Sequence, residues 1–295
     1  MELLSVVIPS RNEQFLQKTI IDLLEKSVED IEIIAVLDGY WPPEDEIVDD
    51  KRVTYLHFGA ARGMRNAINQ GVALAKGKYI MKADGHCMFD KGFDRVLKAD
   101  SKYNWVQIPR RLRLEPITWT LRNVEKPPMD YLFLTYPITQ GEWGGPGFHG
   151  REWVQKNKDP YLKKIDIDDA MSFQGSCWFM ERTYFDWLEI MDQENYQSFP
   201  QEAQEIGFKC WLSGGRVVRN KKTWYAHLHK GKEYGRGYHL DKKQLDLGTA
   251  YCNRWMNEKM WHKQKITVGS WVRDFFPDAP TWTPERMQEC DNVVI

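Results

Sequence analysis

Tyr79-Ile80-Met81-Lys82-Ala83 runs directly into Asp84-Gly85-His86-Cys87. The first five residues read as a short buried strand, and Asp-Gly stops it. Just upstream, Ala61, Met64, Ala67, Ile68, Val72 and Ala75 recur at helical spacing, and Gly77 closes that helix. Further back, Leu4 to Ile8 is an apolar run ended by Pro9. Phe15, Leu16, Ile20, Leu23 and Leu24 then form an amphipathic helix. Ile31 to Leu37 is a second buried strand, stopped by Asp38-Gly39 and Pro42-Pro43, and Val53 to Phe58 is a third. Strands alternating with helices predict an α/β fold with a doubly wound, parallel sheet. Ligands of such sheets lie at the carboxyl ends of the strands, where Asp38 and Asp84 both fall.

Beyond residue 100 the pattern loosens. Trp105 to Ile108 reads as a strand, and residues 109 to 172 are irregular, with a Gly/Pro-rich turn at Gly141 to Gly147. Gly175 to Met180 and Thr223 to Leu228 read as strands. Thr183 to Ile190 and Glu202 to Ser213 read as helices, the second ended by Gly214-Gly215. Residues 230 to 244 carry Lys230, Lys232, Arg236, Lys242 and Lys243 among glycines, which predicts a mobile basic loop. The expected organisation is one large domain over 1–240 and an aromatic-rich extension over 241–295, with Trp255, Trp261, Trp271 and Trp282, packed on it.

Composition narrows the function classes. The chain has 295 residues, 41 basic against 42 acidic, so a polyanion binder working by bulk charge is disfavoured. Its apolar runs are far shorter than the about 18 residues of a membrane span. The N-terminus enters a strand directly, with no basic stretch of a secretory leader. Five widely spaced cysteines without a CxxC pair argue against a disulfide framework or a cysteine zinc site, and point to a reducing, cytoplasmic setting.

Three patterns carry chemistry. In Asp84-Gly85-His86, side chains two apart on an extended segment share a side, so both can meet one cation. A carboxylate plus an imidazole suits a borderline divalent ion such as Mn2+ better than Mg2+. In Trp224-Tyr225-Ala226-His227-Leu228-His229 the two histidines alternate onto one face, and either could complete that site. In Phe199-Pro200-Gln201-Glu202-Ala203-Gln204-Glu205, the two glutamates share one helical face near an N-terminus, a placement that the helix dipole favours and that also suits a sugar-binding cleft.

These motifs together resemble family 2-type glycosyltransferases of the GT-A fold, and among them the polypeptide N-acetylgalactosaminyltransferase-like group. Ser5-Val6-Val7-Ile8-Pro9-Ser10-Arg11-Asn12-Glu13 is similar to that group's first strand and loop. Glu32 to Gly39 resembles its second strand, with Leu37 in place of the first aspartate of a pair. Gly59 to Gly77, containing Arg65-Asn66, resembles its next helix, and Asp84-Gly85-His86 its DxH metal motif. Gly175 to Met180, Phe199 to Glu205 and Phe208 to Arg216 follow in the right order, although Pro200 and Gln201 replace two glycines. The resemblance covers about residues 4 to 230 and includes no lectin domain.

The resemblance implies a UDP-sugar donor, Mn2+ and retention of configuration. It implies that Asp38 holds the uracil ring and that Arg62 or Arg65 contacts the nucleotide or a phosphate. Asp84, His86 and His227, with His229 as substitute for the last, would hold the metal on the diphosphate. Lys230, Lys232 and Arg236 would form a basic lid. Glu202, with Glu205 beside it, would stand near the transferred sugar and the acceptor. The lost glycines at Pro200 and Gln201 predict an altered sugar pocket. The acceptor stays open between a glycan, a protein or a lipid-linked saccharide and, alternatively, a hydroxymethylated pyrimidine in DNA. Arg110-Arg111-Leu112-Arg113 and Lys221-Lys222 with Trp224 and Tyr225 suit backbone contact and base stacking in that second case. A further reading is a nucleotide-sugar-binding protein without catalysis.

Overall fold

The computed structural model describes residues 2–137 and 147–293. The chain opens with β1 (Leu4–Ser10), α1 (Leu16–Lys26), β2 (Ile31–Asp38), β3 (Val53–Phe58), α2 (Met64–Leu74) and β4 (Tyr79–Ala83). A short β5 (Cys87–Phe89), α3 (Phe93–Ala99), the long β6 (Trp105–Glu115) and β7 (Thr120–Leu121) follow. Then come β8 (Leu132–Leu134), β9 (Gly150–Glu152), α4 (Val154–Lys158), β10 (Ile167–Asp169), β11 (Cys177–Glu181), α5 (Arg182–Leu188) and α6 (Gln193–Tyr196). The last part holds α7 (Glu202–Leu212), β12 (Arg216–His227), α8 (Gly231–Tyr234), α9 (Lys242–Asn253), α10 (Val268–Phe275) and α11 (Pro284–Glu289).

Ten strands form one sheet in the order β10-β12-β6-β11-β4-β1-β2-β3, with β5 on β12 and β7 on β6. From β4 to β3 the pairing is parallel, because α1 and α2 carry the chain back across the sheet between strands. β11 enters antiparallel between β4 and β6, and β6 and β12 are again parallel. This is the expected α/β architecture, with flanking helices and the site-bearing strand ends on one edge.

The two-residue period of the strands divides the core. Val7, Val36, Ile80 and Met180 face α2, while Val6, Ile33, Met81 and Phe179 face α1 and α3. Gly71 lets α2 sit directly on the sheet, since a Cβ there would press on Val7 and Val36. Residues from 241 onward contribute Trp255, Trp261, Trp271 and Trp282 to the same core cluster as Trp178 and Trp211. Trp255 stacks on Phe208 with centroids 5.4 Å apart. Trp271 enters on α10, whose buried Val268, Trp271 and Val272 share one helical face.

Several boundaries differ from the sequence reading. β6 runs on to Glu115 rather than ending at Ile108, and β12 begins at Arg216 rather than Thr223. Their charged residues hid the strands, because these charges are satisfied sideways within the sheet. Buried Arg219 donates to the carbonyl oxygens of Asp130, at 2.8 Å, and Pro109, at 2.6 Å. The 230–244 segment is not all loop, since it contains α8 and the start of α9. Gly141 to Pro146 lie outside the described residues, as does the Lys232 side chain. All five cysteines are buried and free. No helix among the described residues is long and apolar enough to cross a membrane.

Candidate active site

Asp84 follows the last residue of β4, Gly85 and His86 make the turn into β5, and His227 ends β12. β5 pairs antiparallel with β12, with His227 opposite Cys87, so distant parts of the chain meet at one point. Asp84, His86 and His227 each offer a ligand atom, all within 4.8 Å of one another. Asp84 Oδ2 lies 3.2 Å from His227 Nε2 and 3.8 Å from His86 Nε2. The turn, rather than an extended strand, brings Asp84 and His86 together. His229, one strand step further on, is exposed and stays outside this group.

Two neighbours preset the group. His86 Nδ1 is 2.9 Å from Glu13 Oε2, which leaves Nε2 turned towards Asp84. Carboxylates that hold the far nitrogen of a ligating histidine fix its ring orientation. Lys82, fully buried on β4, donates to Asp84 Oδ1 at 2.6 Å and to the Gly175 carbonyl at 2.5 Å. Burial works against ionised Asp84, but the Lys82 ammonium and the His227 hydrogen bond outweigh it and hold the carboxyl well below its usual range. Burial pulls His227 down to about 3, so its imidazole is neutral and has a lone pair to give. One carboxylate and two imidazole nitrogens fit a borderline divalent cation.

The group forms one wall of a cleft of ≈ 1000 Å³ that also meets Asp38, Glu202, Lys230 and Arg236. Glu202, at the start of α7, accepts from Trp178 Nε1 at 2.8 Å and stands 3.6 Å from Lys82 Nζ. Burial raises its pKa, against the opposing pull of Lys82 and Trp178. Gly175 packs against this carboxylate so closely that any Cβ would collide with it. Lys230 reaches down to Glu13 Oε2 at 2.6 Å, and Arg236 lies over the Phe199 ring at 5.7 Å. Arg11 sits over Tyr238 at 5.3 Å, and Asn12 donates to the Gly237 carbonyl at 2.6 Å, so the basic segment is laid across the cleft.

Other expected residues are placed differently. Glu205 is not beside Glu202 at the cleft. It is fully enclosed, paired with Arg65 and with Lys209 at 3.1 Å, and accepts the amides of Met191 and Asp192. Three residues on a helix advance by less than a full turn, and α7 is buried over nearly its whole length, so the two carboxylates diverge. Arg65 is drawn in with Glu205 and away from the cleft. Arg62 is exposed, with its guanidinium over Phe58 at 4.7 Å. Asp38 meets the cleft, but its two oxygens accept the backbone amides of Arg62 and Gly63, at 2.5 and 3.0 Å. The basic residues noted for nucleic acid are largely engaged. Arg110 pairs with Asp130 at 3.0 Å and Lys222 with Asp100 at 2.8 Å. Lys221 donates to Tyr131 and to the Leu162 carbonyl. Lys82 and Glu13 were missed as site residues. A lysine inside the apolar strand Tyr79–Ala83 was the signal for the first; Glu13 had none beyond its motif.

Residues 5–112 match the family model described as glycosyl transferase family 2. Over that stretch the chain is similar to glycosyl transferase family 2. Over 92% of its length it is 24% identical to a putative polypeptide N-acetylgalactosaminyltransferase 13 of Drosophila melanogaster, of which it covers 48%. Over 28% of its length it is 38% identical to the glycosyltransferase GlyG of Streptococcus pneumoniae, of which it covers 30%. The chain thus spans about half or less of the curated relatives it matches. The chain shares its fold with solved structures. GalNAc-T7 with UDP, GalNAc and Mn2+ superposes with a TM-score of 0.63 at 17% identity, over 81% of this chain and 45% of that one. S. aureus TarS 1-349 in complex with UDP-GlcNAc superposes with a TM-score of 0.54 at 11% identity, over 93% and 71%.

Proposed function

We propose that this chain transfers a sugar from a UDP-sugar to an acceptor hydroxyl, with Mn2+ or a similar divalent cation held by Asp84, His86 and His227. The meeting of those three side chains in the cleft wall, at the carboxyl ends of the parallel strands, carries the reading. The two superposed structures hold UDP with Mn2+ and UDP-GlcNAc, which supports the same donor class. When bound, the cation supplies Lewis-acid stabilisation of charge on the departing diphosphate. The chain's own residues do the rest. Lys82 and Glu13 orient Asp84 and His86. Arg236 and Lys230 add positive potential over the leaving group as the segment they belong to covers the cleft. Glu202, held by Trp178 and Gly175, lies within reach of the transferred sugar. Retention of configuration follows the reading by similarity to the N-acetylgalactosaminyltransferase group. The acceptor class favoured is a glycan, a protein or a lipid-linked saccharide, because Arg110, Lys221 and Lys222, noted for DNA, are engaged with groups of the protein itself. Five buried free thiols support a cytoplasmic setting.

The test is thermal unfolding with UDP, with and without Mn2+. UDP should raise the Tm only with the metal, since a ligand that binds the native state alone stabilises it. Asp84→Ala should erase the shift. A UDP shift that is indifferent to chelator, or retained in Asp84→Ala, would overturn the reading.

A further inference from the structure

A second pocket, of ≈ 410 Å³, lies behind His227 and shares Gln174, His227, Leu228 and His229 with the main cleft. Its other lining includes Arg111, Arg113 and Arg122, and no aspartate or glutamate. Three cationic side chains facing one cavity without a carboxylate form an unneutralised field, the usual preparation for an anion.

The polar atoms around the pocket are also incompletely satisfied. Arg111 is 5% exposed, its Nε has no hydrogen-bond partner, and one Nη donates only to the Met129 thioether at 2.9 Å. A thioether is a weak acceptor, so this guanidinium is buried with its charge uncompensated. Gln174 Oε1 and His227 Nδ1 are likewise buried and unpartnered. Buried polar atoms are nearly always paired, so the Arg111 Nε–H beside this cavity is a donor left without an acceptor. Arg113 spends one Nη on the Pro127 carbonyl at 3.1 Å, and Arg122 faces Glu115 at 4.0 Å, so the field is only partly met from within.

We propose that this pocket is an acceptor subsite that binds a phosphate group carried by the acceptor saccharide next to the hydroxyl that receives the sugar. The proposal rests on the glycosyltransferase reading for the word acceptor, because His227 is the wall between the two cavities. Phosphate is favoured over carboxylate by number. Three guanidiniums offer forked donors on several sides, which a tetrahedral oxyanion uses more fully than a planar one. A saccharide is favoured over a nucleic-acid strand because the lining contains no Phe, Tyr or Trp on which a base could stack.

The test uses the whole chain, kept metal-free with chelator so that phosphate cannot bind through a metal ion. Inorganic phosphate in the millimolar range should raise the Tm by a few degrees, and acetate should not. A hexose phosphate should act at lower concentration than inorganic phosphate. Arg111→Gln should abolish these shifts. Arg113→Gln and Arg122→Gln, at half-buried and exposed positions that tolerate change, should each weaken phosphate binding several-fold. All three variants should keep the separate UDP–Mn2+ shift, so a failed UDP shift indicts the function and a failed phosphate shift indicts this subsite. No phosphate shift, an equal acetate shift, a shift unchanged in all three variants, or tighter binding of a short oligodeoxynucleotide than of the hexose phosphate would overturn the proposal.

Discussion

Lys82 Nζ lies 2.6 Å from Asp84 Oδ1, and the whole Lys82 side chain is buried. One oxygen of the proposed metal ligand is therefore committed to a permanent ammonium, and the other is left towards the two histidines. The same ammonium faces Glu202 at 3.6 Å. Burial lowers the pKa of Lys82, but Asp84 and Glu202 more than compensate, so it remains charged.

Lys82→Met should leave two buried carboxylates without their counter-charge. Breaking a buried pair by removing one partner costs about 3–5 kcal/mol. Urea unfolding of the metal-free variant should show a loss of that size, and Mn2+ should restore part of it. A variant as stable as the parent without metal would mean that Lys82 is not the balancing charge.

Glu13→Gln should spare the fold and loosen the cation site. Glu13 accepts from His86 and from Lys230, and burial, which would raise its pKa, is outweighed by them. Loss of such an outer partner lowers metal affinity by about 10–100-fold. Mn2+ titration of the parent and the variant measures it directly, and equal affinities would assign Glu13 to the lid contact alone.

Arg65→Met and Glu205→Gln are predicted to act on stability rather than on substrate. Both side chains are fully enclosed and pair with each other. Each single change should cost about 3–5 kcal/mol in denaturant unfolding. The KM for the donor should stay within about two-fold of the parent, since uniform binding is untouched. A large KM effect in a well-folded variant would bring Glu205 back to the cleft.

Asp22 gives a pH prediction. Burial raises its carboxyl to about 6, against the pull of the Phe89 amide and the Trp119 indole N–H that it accepts. The folded state thus holds this proton more tightly than the unfolded chain. The stabilisation from protonation is complete below about pH 4 and is lost as pH rises through about 6, an effect of up to about 3 kcal/mol. Unfolding free energies at pH 4 to 8 should fall more steeply with pH in the parent than in Asp22→Asn. Parallel profiles would refute the assignment.

Much of the fold was legible because β1, β2 and β4 are buried on the sheet's two faces, and apolar runs at the right lengths announce such strands. β6 and β12 were truncated in the sequence reading because Arg111, Arg219 and Asn220 break the apolar pattern; the latter two lie buried with partners on the neighbouring strand. The Asp84–His86 pair was legible as a motif, although a turn and not the assumed extended spacing brings the two together. The choice of His227 over His229 was not, since alternation treats them alike and only the β5–β12 register separates them. Glu205 misled for a related reason: helical spacing shows which residues lie near one another, not which of them meets a buried arginine.

His227 and Asp84 are 143 residues apart in sequence, and the register of β12 against β5 is what joins them. A nascent chain that has emerged only as far as β11 holds two of the three donors and none of the third. Under the proposed function, uptake of a divalent ion therefore waits for the last strand of the sheet to seat. A chelatable-ion assay on ribosome-stalled intermediates would time the completion of tertiary structure without any reporter dye.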